Sequence, residues 1–122
     1  MAEPSRHLQW AKNNEELAES FNLDDSFEVD WAIVVLFYAA VHYVDAYLSS
    51  RTKRQPDHSG REQEIQSDIL LSSMWKEYRE LKRMSRDARY ELAPYTELHF
   101  RKARDLLKRI KDEVLPRLRP YI

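Results

Sequence analysis

Tyr38, His42 and Asp45 follow one another at steps of four and three, which places a phenol, an imidazole and a carboxylate on one face of a helix. Their surroundings, Trp31 to Leu48, are otherwise apolar. Two readings fit this seam. A buried His–Asp hydrogen bond would satisfy both groups and fix helix register. If the seam instead borders a cleft, His42 is placed to act as a base or as a hydrogen-bond donor. A second set of residues lies later in the chain. Arg79, Arg83, Arg86 and Tyr90 fall at steps of four, three and four, flanked by Lys76, Lys82 and Arg89. Arginine's planar fork suits phosphate oxygens, so this stripe is a candidate for phosphate or nucleic-acid contact. Arg101, Arg104, Lys108 and Lys111 repeat the pattern, while Glu77, Glu80, Asp105 and Asp112 would pair locally if both faces are merely solvated.

Metal chemistry has little to build on. Carboxylate-bridged bundles place Glu three residues before His, yet Pro4, Ala39, Gln55 and Thr96 precede His7, His42, His58 and His99 at that distance. No two histidines have helical spacing, and there is no cysteine for a thiolate site, a disulfide or a thiol nucleophile. Gly60 is the only glycine, which excludes a phosphate-binding glycine loop and a dinucleotide fingerprint. No cofactor is expected.

The elements that must position these residues read as helices. With 122 residues the chain supports one domain. A first helix is expected from about Ser5 to Ser20, burying Trp10, Leu17 and Phe21 beside Ala11 and Ala18. Asn22 to Ser26 is a turn, with Asp24 or Ser26 capping a second helix that runs to about Ser50. That helix approaches the ~20 residues of a membrane span, but Asp45 and the amphipathic neighbours favour a core helix covered by others. Ser59 and Glu62 have capping-box spacing for a third helix, about 61–71, burying Ile65, Ile69 and Leu70. A fourth, about 74–90, buries Trp75, Tyr78, Leu81 and Ala88. The fifth, about 96–115, carries Phe100, Ala103, Leu107, Ile110 and Val114 at steps of 3, 4, 3 and 4. Short connections make the expected fold an all-α, antiparallel up-down bundle of four to five helices, with an irregular tail from about 116.

Net charge is −1, but it is strongly polarised. Residues 1–71 carry 6 basic and 13 acidic side chains, whereas 72–122 carry 14 and 8. An anionic partner should therefore meet the second half. The first residues lack the apolar run of a signal peptide, so a cytoplasmic location is expected, without membrane contact.

Three segments together resemble a HEPN domain: Phe37-Tyr38-Ala39-Ala40-Val41-His42-Tyr43-Val44-Asp45-Ala46-Tyr47-Leu48, then His58-Ser59-Gly60-Arg61 opening a helix, then Ser85-Arg86-Asp87-Ala88-Arg89-Tyr90-Glu91 closing a basic one. The resemblance extends from the first helix to Pro116. It implies a helical bundle that dimerises and binds RNA or nucleotides, and in many members a metal-independent endoribonuclease, some of them toxins paired with a nucleotidyltransferase antitoxin. The family's motif is an arginine followed by a histidine, with four to six residues between them. The arginine would hold the scissile phosphate while the histidine moves a proton as the ribose 2′-OH attacks. Arg86 matches the arginine, but the segment after it, Asp87 to Ala93, contains no histidine, and Tyr90 stands near that position. A phenol with an ordinary pKa near 10 is a poor base at neutral pH.

The resemblance thus implies phosphate binding through Arg86, Arg89 and Tyr90, with Arg79 and Arg83 alongside, His42 and Asp45 lining the same cleft, and His58 near it. A toxin–antitoxin or defence role with a degenerate catalytic motif follows from the same likeness. The alternatives are an active ribonuclease using Arg86 and a displaced histidine, His42 or His58, and a dimeric interaction module whose arginines only pair with acids.

Overall fold

The computed structural model describes residues 3–51, 57–90 and 94–122. Among them the chain is all-α. Helix α1 spans Pro4–Glu19, α2 Ser26–Arg51, α3 His58–Ser67, α4 Trp75–Arg89 and α5 Glu97–Val114. Short 3-10 segments cover Leu71–Met74 and Leu115–Tyr121. No strand occurs among the described residues.

Helix α2 is the axis of the molecule. It is apolar on all sides, and α1, α4 and α5 pack around it. By length and composition it could cross a membrane, but 78% of its most apolar window is buried inside the bundle. Ion pairs fix the direction of its neighbours. Glu77 meets Arg109 and Glu80 meets Lys102, so α4 and α5 run in opposite directions. Glu15 meets Lys111 and Glu19 meets Arg104, which makes α1 antiparallel to α5 as well.

The largest core side chains include three tyrosines, and each is buried only because its hydroxyl has a partner on another element or in a neighbouring turn. Tyr43 donates to Glu15 on α1, whose other oxygen takes Lys111 from α5 at 2.9 Å. Tyr47 donates to Asp68 at 3.2 Å and accepts from Arg51. Tyr78 on α4 shares a hydrogen bond with Arg61 of α3. Burial and the Glu15 carboxylate push the Tyr43 phenol far above its ordinary value, so it stays a neutral donor.

The local signals differ from the sequence expectations in instructive ways. Helix α1 buries His7, Leu8, Ala11 and Ala18, whereas Trp10 and Leu17 are exposed and Phe21 is half-buried. Asp25, rather than Asp24 or Ser26, takes the free Phe27 N–H at 2.9 Å. The cap of α3 is Asp57, which accepts from Gly60 N at 2.7 Å, so the Ser59–Glu62 box does not form and the helix begins three residues early. It also ends early. Asp68 accepts from the N–H groups of Leu70 and Leu71 and starts a new turn. Leu71 therefore enters the core, and Ile69, expected inside, is 90% exposed. Leu70 is exposed too, and Trp75 only half-buried. The five expected core residues of α5 are all buried.

Candidate functional site

Helix α4 separates its faces sharply. Tyr78, Leu81, Met84, Ser85 and Ala88 point into the bundle, which leaves the arginines of the sequence stripe outside. A surface cavity of about 330 Å³ lies along this outer face, lined by Arg79, Glu80, Lys82, Arg83 and Arg86 with Glu62 from α3. Four cations thus face two carboxylates.

The pairing inside that groove is uneven. Arg83 is held on both sides, by Glu80 at 2.5 Å and Asp87 at 2.8 Å, and these hydrogen bonds hold its guanidinium firmly charged. Lys82 reaches Glu62 at 2.6 Å. Among the described residues Arg79 and Arg86 have no carboxylate within ion-pair distance. They are seven positions apart, which is about 10 Å along a helix axis. An anion entering here meets two guanidinium groups that need not first give up a partner.

The α5 stripe is different. Arg101 pairs with Glu97, Arg104 with Glu19, Lys108 with Asp112 and Lys111 with Glu15. Each cation of that stripe is matched, Arg101 and Lys108 within α5 and Arg104 and Lys111 by α1.

His42 and Asp45 do not join the groove. Asp45 is buried and forms a two-pronged ion pair with Arg61, with Nε 2.7 Å from Oδ1 and a terminal nitrogen 2.8 Å from Oδ2. Such a pair consumes the carboxylate, so the expected ligand-binding role of Asp45 gives way to joining α2 to α3. His42 turns to α1, where its Nδ1 lies 3.1 Å from Nδ1 of the buried His7, and Trp10 packs 5.2 Å from its ring. Burial lowers the pKa of both imidazoles. Asp45 pulls each upward and Arg61 downward, and His42 is lowered further by His7. Two neutral rings sharing one N–H satisfy this geometry, which two imidazoliums would not. Neither His42 nor Asp45 lines the cavity that holds Arg86. Tyr38 is exposed on the same helix and forms no polar seam with them.

Tyr90 caps the end of α4, its N–H donating to Arg86 O at 3.2 Å, and its ring is 63% exposed with the Arg89 guanidinium 5.7 Å from its centroid. His58 opens α3, but its side chain lies outside the described residues, as do residues 91–93 that follow Tyr90. Among the described residues no group of three His, Asp or Glu side chains gathers as a metal site would require.

Sequence reasoning missed two contributors. Glu62 reaches the groove only because α3 folds against α4, and nothing local announces that. Tyr95 is buried, interacts with Arg83 and packs 4.8 Å from the His99 ring. His99 itself accepts from Thr96 N at 2.9 Å and so completes a capping box at the start of α5. The Thr-x-x-His spacing was the available signal. Comparison with family models, with curated proteins and with solved structures finds no match.

Proposed function

We propose that this chain is a HEPN-like domain that binds phosphate groups of RNA or of a nucleotide through the outer face of α4. The observation that carries the reading is the contrast between two basic stripes. Every cation of the α5 stripe has an acidic partner, whereas Arg79 and Arg86 stand in a shallow groove with none among the described residues. A site kept for an anion has this form, because a guanidinium already engaged by a carboxylate must break that contact to bind. Arg86 is also the residue that matches the family's motif arginine. A homodimer, a cytoplasmic location and a nucleotidyltransferase partner belong to the same proposal.

Binding rather than cleavage is the activity proposed. Phosphodiester cleavage of the family's kind needs a proton-transfer group beside the arginine. Tyr90 offers a phenol there, while His42 is engaged with His7 between α1 and α2. The test is a titration of a fluorescent single-stranded RNA with the purified protein in EDTA, reading bound fraction and RNA length together. Binding that weakens in Arg86→Gln, with RNA length unchanged, supports the reading. Binding indifferent to Arg86→Gln overturns it, and cleavage that depends on Arg86 replaces it with the ribonuclease alternative.

A further inference from the structure

The end of α4 borders a second depression. Arg86 lines the phosphate groove, and three residues later Arg89 lines a notch of about 50 Å³ whose other walls include Phe27, Asp30, Trp31 and Ala88. Phe27 and Trp31 lie one turn apart on α2, with ring centroids 6.3 Å apart at 71°. They are 60% and 47% exposed, an unusual position for two large aromatics side by side. Arg89, which lies 5.7 Å from the centroid of the exposed Tyr90 ring, adds a planar cation to the wall.

We infer that this wall is a stacking platform for a nucleobase, with Trp31 as its main surface, and that the base belongs to the ligand whose phosphate lies on Arg86. The inference rests on the phosphate-binding reading and adds the group that a phosphate site alone does not select.

Three features choose the occupant. A cavity that takes up a benzene ring measures about 150 Å³, so a notch of this size cannot enclose a ring, which would instead lie across its mouth on the exposed aromatic faces. Asp30 in the wall offsets the charge of Arg89, so the notch adds no net attraction for a second phosphate and does not oppose a neutral base. Charge argues against a second copy of this chain. A two-fold contact sets one patch against itself, and this patch brings two arginines, Arg86 and Arg89, with a single carboxylate, Asp30, in the notch beside them. Aromatic faces beside a cationic groove are the arrangement by which single strands and nucleotides are held without reading sequence.

The test compares three probes: pentaadenylate RNA, ATP, and inorganic tripolyphosphate, which carries charge but no base. Trp31→Leu keeps an apolar side chain at an exposed position, and an unchanged thermal midpoint verifies its fold. It should weaken pentaadenylate about tenfold, the scale of one lost base–aromatic stack, and leave tripolyphosphate untouched. Trp31→Phe should restore most of the loss, and Arg86→Gln should weaken both probes. ATP bound as tightly as pentaadenylate, with the same Trp31 dependence, supports a free nucleotide as the source of the base; dependence seen with pentaadenylate alone supports RNA. Equal loss for pentaadenylate and tripolyphosphate in Trp31→Leu, or no loss for either base-bearing probe, overturns the platform. So does a shift from dimer to monomer in sedimentation, which would make this face a contact between copies. If tripolyphosphate still depends on Arg86, only the platform has failed; if no probe binds, the phosphate reading has failed with it.

Discussion

Asp45 and Arg61, sixteen residues apart, meet in the interior as a two-pronged ion pair that leaves almost none of either side chain in contact with solvent. The pair ties the central helix to α3 and, through Tyr78, to α4. It explains why a carboxylate is tolerated in the most apolar segment of the chain, since a buried charge must be matched by another and by hydrogen bonds.

Breaking that pair should therefore cost more than any surface charge. Asp45→Asn leaves the Arg61 guanidinium buried without its counter-ion, and a loss of about 3–5 kcal/mol in urea unfolding is expected. Asp45→Leu combined with Arg61→Met should recover most of the loss, because the uncompensated charge is gone. A double variant no more stable than Asp45→Asn would show that the contact does something other than match charge.

The His7–His42 contact makes stability depend on pH in a definite direction. Both imidazoles have folded-state pKa values below their unfolded value of about 6.5. The unfolded chain therefore binds more protons as pH falls through 6.5, and stability drops there and keeps dropping until the folded rings titrate. Urea midpoints should fall between pH 7.5 and 5.5. The fall should be smaller in the His7→Phe, His42→Leu double variant, and an equal fall in both proteins would assign it to other groups.

Capping supplies a finer check. Asp57→Ala removes the acceptor for Gly60 N and should cost about 1 kcal/mol. Ser59→Ala should be within about 0.5 kcal/mol of wild type, since Ser59 lies inside the helix as an exposed residue. The reverse order would mean that α3 begins where the capping-box spacing places it.

The turn after α3 yields an equally direct comparison. Leu71→Ala empties part of the core and should cost about 2–5 kcal/mol, while Ile69→Ser on the outside should change stability by less than about 0.5 kcal/mol. Calorimetry of the two variants decides which residue the bundle uses.

These differences indicate what could be read from the chain alone. The core face of α5 was legible to the residue, because a 3, 4, 3, 4 apolar period leaves one face to bury and charged side chains on the other. The burial in α3 was not, since Asp68 breaks the helix through backbone N–H groups two and three residues on and moves the core position from Ile69 to Leu71. In α1 the aromatic Trp10 and the larger Leu17 looked like core, but Ala11 and Ala18 fill that face and His7 joins it through a histidine thirty-five residues away. The α4 stripe was visible in the spacing, and so was Glu80, one of the two acids that occupy Arg83. That Lys82 would be taken by Glu62 and Asp45 by Arg61 depended on how α3 folds back, which no local pattern encodes.

The phosphate reading meets its sharpest test in a salt series with single-stranded RNA. Arg79→Gln with Arg86→Gln is compared with Arg101→Gln with Lys108→Gln, a control that removes the same charge from the paired stripe. Each phosphate contact contributes about 0.7 to the slope of log affinity against log salt for single strands. The expected result is a slope shallower by about 1.4 in the α4 double variant and unchanged in the α5 control. Equal slopes in the two double variants would contradict a phosphate site at Arg79 and Arg86.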